Sequence, residues 1–223
     1  MIWLLIVFVY LLCNKQPLQN RTMQILPPDY FLQKDTLGLA KGLLGKILIT
    51  CIDGKLTSGR IVETEAYLGV PDKASHAYGG RRTPRTEVMY LPGGHAYVYL
   101  CYGIHHLFNI VTNQKNTPHA ILIRAIEPLE GIETMMARRG KKQLDETLTR
   151  GPGCLSQALG ITTRFSGHLL GREILVADDG ATSPVQPNPA SGPRIGVGYA
   201  AEYAPLPWRF FVKANPFVSK PNL

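Results

Sequence analysis

The sequence predicts an α+β fold, a single domain on a curved, largely antiparallel sheet with surrounding helices and a protruding β-hairpin. Between residues 47 and 126, short segments rich in Val, Ile, Tyr and Thr follow one another, bounded by turn residues. Helical patterns take over between residues 128 and 159, and strands followed by helices are the order of an α+β domain. No internal repeat or shift of composition divides the 223 residues, a length suited to one ordinary domain or two small ones. With 45% hydrophobic and 18% charged residues, the chain is neither disordered nor collagen-like.

The elements follow in order. Asp35 to Gly45 carries an Asp N-cap, apolar Leu37, Ala40 and Leu44 at helical spacing, and a closing glycine. Ile47–Ile52, Arg60–Tyr67, Ala96–Cys101, Leu107–Thr112 and Ala120–Ile126 read as strands. Asp53-Gly54, Gly79-Gly80, Pro92-Gly93-Gly94 and Gly103 punctuate them. Pro128 to Arg139 reads as an amphipathic helix with Leu129, Ile132 and Met136 on one stripe and Gly140 as its stop. Pro152 opens a further helix, Gly153–Leu159, closed by Gly160. Residues 178–193 form a Pro/Ser/Gly loop, and Arg194–Tyr199 and Trp208–Lys213 are the last strand candidates.

Met1 to Leu12 is an unbroken apolar run, too short for a comfortable membrane span of roughly 20 residues. It has no basic leader and no small-residue cleavage site. An atypical anchor, a targeting segment and sequence upstream of the true start are the three readings. The third is favoured because Met23 opens a stretch that reads like the start of a domain. Residues 1–22 are therefore set apart as an extension and 23–223 as the functional domain. The net charge of +8 and pI near 9.4 favour anionic partners, nucleic acid or an acidic membrane surface. Cys13, Cys51, Cys101 and Cys154 are widely spaced with no C-x-x-C pair, which argues against a zinc ribbon or a dense disulfide framework. Free thiols in a reducing compartment are the simplest reading.

The chemistry gathers in two segments. If Arg60–Tyr67 is a strand, its period of two places Glu63, Glu65 and Tyr67 on one face. A solvated sheet face is the ordinary account of Glu-x-Glu. Here His76 and a glycine-rich basic loop with Arg81, Arg82 and Arg85 follow closely, and such loops suit phosphate contact as well as plain solvation. In the second segment, two strands meet at Tyr102-Gly103-Ile104-His105. Turn tips normally carry Asn, Asp, Ser and Gly. An aromatic and an aliphatic residue there either fold back on the core or form a wedge that enters stacked bases. Tyr97 and Tyr99 share a strand face, so Tyr99 could meet Tyr67 and sandwich a flat ring, as flipped bases are held. The histidines have no metal-ligand spacing, and no phosphate-binding or nucleophile-elbow motif is present.

The run ETEAYLG…ASHAYGGRRTPR, then YVYLCYG, FNIV, LIRAIEPLEG, GPGCLSQALGI and RIGVG, resembles the alkyladenine (3-methyladenine) DNA glycosylase family over residues 27 to 219. The resemblance implies hydrolytic release of alkylated or deaminated purines (3-methyladenine, 7-methylguanine, hypoxanthine) from duplex DNA in base-excision repair. On that likeness Glu65 activates water at the sugar C1′, while Arg124 and the Val197 carbonyl help hold the water. Tyr67, His76 and Tyr99 stack the flipped base. Asn109 lies at the pocket floor and obstructs the amino group of normal guanine, and Tyr102 fills the gap in the helix. Arg81, Arg82 and Arg85 are the expected phosphate contacts. No metal, nucleotide cofactor or lyase step is implied. The partner is double-stranded DNA carrying a damaged purine, met by a monomer in the cytoplasm at the nucleoid or in a nucleus. His105 at the hairpin tip, the Gln114–Pro118 turn and the short 178–193 loop depart from better-known vertebrate members.

Two other classes fit parts of the sequence. A carbohydrate glycosidase would use Glu63 and Glu65 as a carboxylate pair. A non-catalytic nucleic-acid binder would account for the charge but gives no reason for a Glu beside two aromatics.

Overall fold

A computed structural model describes residues 23–180 and 189–219. The extension at residues 1–22 lies outside them, as do residues 181–188 of the expected loop. The strands are β1 (Gln24–Ile25), β2 (Ile47–Ile52), β3 (Lys55–Tyr67), β4 (Ala96–Cys101), β5 (His105–Thr112), β6 (His119–Glu130), β7 (Ile174–Asp178), β8 (Ala190–Gly192) and β9 (Arg209–Phe211). They form one sheet in the order β1-β7-β2-β3-β6-β5-β4, and β9 pairs with both β3 and β8. Every pairing is antiparallel. The helices are α1 (Thr36–Gly42), α2 (Ile132–Arg139) and α3 (Pro152–Leu159). The α+β expectation therefore holds. Among the described residues, no helix is long and apolar enough to cross a membrane.

Alternation along the strands sorts side chains between two faces. On one face Ile61, Ala66, Val98, Phe108, Ile110, Ile121 and Ile123 join Leu39, Leu43, Leu155 and Leu159 from the helices in the main core. Fully burying such a side chain stabilises the fold by about 1.5–3 kcal/mol. Asp35 caps α1 by accepting a hydrogen bond from Gly38 N–H at 2.8 Å. The opposite face of β3, β6, β5 and β4 carries the polar and aromatic residues.

Three expectations need correction. The helix placed at Pro128–Arg139 starts only at Ile132, because Pro128 and Glu130 still pair with Gly59 and Ser58 on β3. Leu129 is the extra residue of a bulge, where proline's missing N–H is tolerated. Arg194–Tyr199 is no strand. Gly196 turns at φ +78°, and Ile195 gives its N–H to a side chain rather than to a ladder. Ile174–Asp178, which carried no expectation, is a strand. It is buried on both faces, so it lacks the alternation that marks half-exposed strands. Cys101 and Cys154 are free thiols, whereas Cys51 is disulfide-bonded, against the free-thiol reading.

Gly131 makes the turn from β6 into α2. Its φ is +70°, and a Cβ there would strike the Leu56 carbonyl oxygen. Both the left-handed backbone and the close approach require glycine. Gly131→Ala is expected to lower unfolding free energy by about 2 kcal/mol or more in urea titration, and an unchanged midpoint would contradict this.

Candidate active site

Register across four strands lays the floor of the site. Glu65 on β3 stands opposite Leu122 on β6, Leu122 opposite Asn109 on β5, and Asn109 opposite Tyr97 on β4. Tyr67, Arg124 and Tyr99 are two positions along their strands and share that face. A cleft of about 430 Å³ opens above this floor, lined by Tyr67, His76, Tyr99, Asn109, Arg124 and Val197 among others. With Arg85 and Tyr102, which also line it, the structure brings eight of the expected residues to one cavity.

Two compensating irregularities decide which way the acidic residues point. Ile61 pairs with Ile126, Glu63 with Ala125, and Thr64 with Ile123. Val62 and Arg124 are therefore skipped, one on each strand, and the register is restored beyond them. Strict alternation would put Ile61 on the face of Glu63. Instead Ile61 enters the core, while Glu63 and Glu65 turn the other way.

The solvated face that Glu-x-Glu usually marks is absent, since both carboxylates are 0% exposed. Glu65 accepts hydrogen bonds from Tyr67 Oη at 2.8 Å and Ile195 N–H at 2.7 Å, and Arg124 Nη1 lies 3.2 Å away. These contacts take up to three of a carboxylate's roughly four acceptor positions. One acceptor position is left. Glu65 itself sits behind the cleft wall, whose surface is made by its partners Tyr67, Arg124 and Ile195. Burial, reinforced by the Glu65 charge, holds the Tyr67 phenol well above its usual pKa, so it stays protonated and donates.

His76 sits edge-on to Tyr99, with ring centroids 4.6 Å apart. Its Nδ1 meets Tyr97 Oη at 2.8 Å and its Nε2 faces Arg85 at 3.4 Å. Burial, with the nearby Arg85 and Arg81 charges, pushes its pKa down to about 4. The imidazole is neutral at pH 7, which counts against a protonated His76 as acid toward a neutral base. Asn109 is fixed by its amide nitrogen, which donates to the Tyr97 and Leu107 carbonyls. The Val197 carbonyl already accepts from Ala200 N–H at 2.9 Å, which leaves its second lone pair.

The three loop arginines part company. Arg85 crosses the face of Tyr99, 4.9 Å from the ring centroid, and lines the cleft. Arg82 pairs with Glu87 and stacks on Tyr90. Arg81 is exposed, while its backbone carbonyl anchors the Tyr90 hydroxyl. At the end of the β4–β5 hairpin, Tyr102 is 91% exposed at φ +51°, with Ile104 71% exposed beside it. An exposed tyrosine in left-handed backbone is conformationally costly and has no packing reason to be there.

Several residues were missed by sequence reading. Arg194 and Asp72 form a fully buried bidentate pair at 2.6 and 2.9 Å. Arg194 also donates to the Ala66 carbonyl and lies across the rings of Tyr67 and Trp208. Asp72 accepts from Leu68 and Ala74 N–H, so the pair ties both covering segments over the floor. Asp and Arg 122 positions apart leave no local signal. Ile195 acts through its backbone, which side-chain chemistry cannot reveal. Tyr97 was placed on the right face without its bond to His76. Among the described residues, no group of three or more His, Cys, Asp or Glu could hold a metal ion.

The methylpurine-DNA glycosylase family model matches residues 30–216. A Bacillus cereus (strain G9842) protein named "Putative 3-methyladenine DNA glycosylase" is 49% identical over 204 residues, covering 87% of this chain and 98% of that relative. Proteins of the same name from Bacillus cytotoxicus and from Bacillus thuringiensis (strain Al Hakam) are 47% and 48% identical, with the same coverage of both chains. Similarity of this depth, spanning the cleft, the loops above it and the sheet beneath, makes the chain a member of the methylpurine-DNA glycosylase family.

Proposed function

We propose that this DNA N-glycosylase flips alkylated or deaminated purines out of duplex DNA and hydrolyses their bond to the sugar, with Glu65 as the base that activates water. The observation that carries the reading is the buried Glu65 carboxylate behind an aromatic-walled cleft, with Arg124 on the same wall. Breaking an N-glycosidic bond develops positive charge on the sugar. A carboxylate fixed where water is excluded can stabilise that charge and take the proton of attacking water. General-base assistance is worth about 10²–10⁴-fold. A base already cationic through alkylation leaves without further protonation, which suits a neutral His76. Val197 offers its second carbonyl lone pair to the same water.

Tyr67, His76 and Tyr99 supply the flat walls for a flipped base, and Asn109 at the floor acts against the amino group of normal guanine. Tyr102 would fill the vacated space in the duplex. Arg85 at the rim, with Arg81 and Arg82 on the loop above, supplies phosphate contacts. Among the described residues no lysine lines the cleft, which supports a monofunctional enzyme without a Schiff-base step. Water and side chains suffice for the reaction, without metal or nucleotide cofactor, on a monomer of residues 23–223. The relatives are bacterial, which supports a cytoplasmic, nucleoid-associated place and lends nothing to a nuclear one.

The carboxylate-pair alternative loses ground on one observation. Glu63 is enclosed by Arg124, Arg209 and the Ser219 N–H, of which only Arg124 lines the cleft, whereas all three partners of Glu65 line it. A binding-only role does not explain the cost of burying Glu65, since a carboxylate near phosphates weakens DNA affinity.

Glu65→Gln is expected to cut release of hypoxanthine or 3-methyladenine from a duplex oligonucleotide by about 1,000-fold or more, with DNA binding kept or tightened. Equal loss of binding and release would contradict the catalytic role. Tyr102→Ser is expected to weaken capture of the lesion in duplex DNA by about tenfold and to leave single-stranded capture nearly unchanged. An equal effect on both substrates would remove the wedge.

A further inference from the structure

We propose that Glu63 is a positioning residue which, with Arg209, sets the net charge that the reacting sugar experiences through Arg124 and Glu65. The inference rests on the catalytic reading of Glu65 and assigns a role to two residues outside that machinery.

Arg124 bridges the carboxylates. Its Nε donates to Glu63 Oε1 at 3.0 Å, and its Nη1 lies 3.2 Å from Glu65 Oε1. Arg209 approaches from β9, which pairs with β3 along Glu63–Glu65, and its Nε lies 3.0 Å from the same Glu63 oxygen. That Nε is buried and its approach is not aligned as a hydrogen bond, so the contact is chiefly one of charge. The Ser219 N–H donates to Glu63 Oε2 at 2.8 Å and fixes the carboxylate from the C-terminal side. Glu63 and Glu65 are fully buried, and Arg124 and Arg209 are 6% exposed each. Solvent screens such a group poorly.

The four charges sum to zero. This matters for a reaction that makes a cation. Arg124 is useful beside Glu65 because it fixes the carboxylate, yet its positive charge opposes an oxocarbenium-like sugar. Glu63 cancels that opposition from behind, and Arg209 returns the whole to neutrality. If Glu63 becomes neutral with its shape retained, the cluster carries one excess positive charge. The sugar cation is then disfavoured although Glu65 and the cleft are intact. If Arg209 is neutralised as well, the balance returns.

The test is single-turnover release of 3-methyladenine and, in parallel, of hypoxanthine from duplex DNA by wild type, Glu63→Gln, Arg209→Gln and the double variant. Thermal unfolding and DNA affinity are measured for each. Glu63→Gln is expected to slow release about 100-fold with DNA affinity unchanged or tighter. The double variant is expected to recover to within about fivefold of wild type. A merely structural Glu63 predicts the reverse, because removing a second buried partner compounds the damage. Full activity in Glu63→Gln, or a folded double variant no faster than the single, overturns the charge balance. Should Glu63→Gln not fold, Arg209→Gln decides, with release at or above the wild-type rate expected and a loss of tenfold or more (roughly the size of a lost structural contact) overturning the proposal. Wild type that releases no base would instead overturn the reading of Glu65, a result distinct from any failure confined to the Glu63 variants.

Discussion

Glu63 and Glu65 are withdrawn completely from water at neighbouring positions of one strand, and much of the surrounding structure follows from compensating them. An isolated buried carboxylate costs several kcal/mol, so each must be met by donors and opposite charge. Arg124 meets both, Arg209 and the Ser219 N–H enclose Glu63, and Tyr67 and Ile195 complete Glu65. Those partners come from β6, β9, the C-terminal segment, β3 itself and the turn after β8. The charge cluster therefore ties together parts of the chain that sequence distance separates.

The paired bulges make this arrangement compatible with a core. A regular β3 would put Ile61 on the same face as Glu63 and Glu65. Skipping Val62 on β3 and Arg124 on β6 lets Ile61 serve the helices while Glu63 and Glu65 serve the site, with the ladder in register on both sides. The segments that cover the cleft are held by a second buried pair, Arg194 with Asp72. Breaking one partner of such a pair typically costs about 3–5 kcal/mol. The aromatic walls thus stand on ion pairs as much as on apolar packing.

What the sequence discloses follows from how local each signal is. Period two is a property of a few neighbouring residues, so β2, β4 and the shared face of Glu65 and Tyr67 were readable. The unusual content of the Tyr102–Ile104 turn was readable for the same reason. The bulges were not, because a skipped residue shows only in its pairing with another strand. Their consequence is that Ile61 enters the core while Glu63 turns to the site. The end of β6 was misread because the apolar spacing of Leu129, Ile132 and Met136 suits a helix, while Pro128 and Glu130 remain paired to β3. Asp72 with Arg194, and Glu63 with Arg209, are long-range pairs between ordinary charged residues. No local pattern marks them.

The central claim is that the cleft is built to favour a positive charge at the sugar, against Glu65, over a neutral group of similar shape. Its most direct test is the affinity of the protein for duplex DNA containing a cationic pyrrolidine in place of the damaged nucleotide, compared with a neutral tetrahydrofuran at the same position. The account predicts that the wild-type chain binds the cationic site at least about 100-fold more tightly and that Glu65→Gln abolishes most of the difference. Equal affinity of the wild-type chain for the two sites would contradict it.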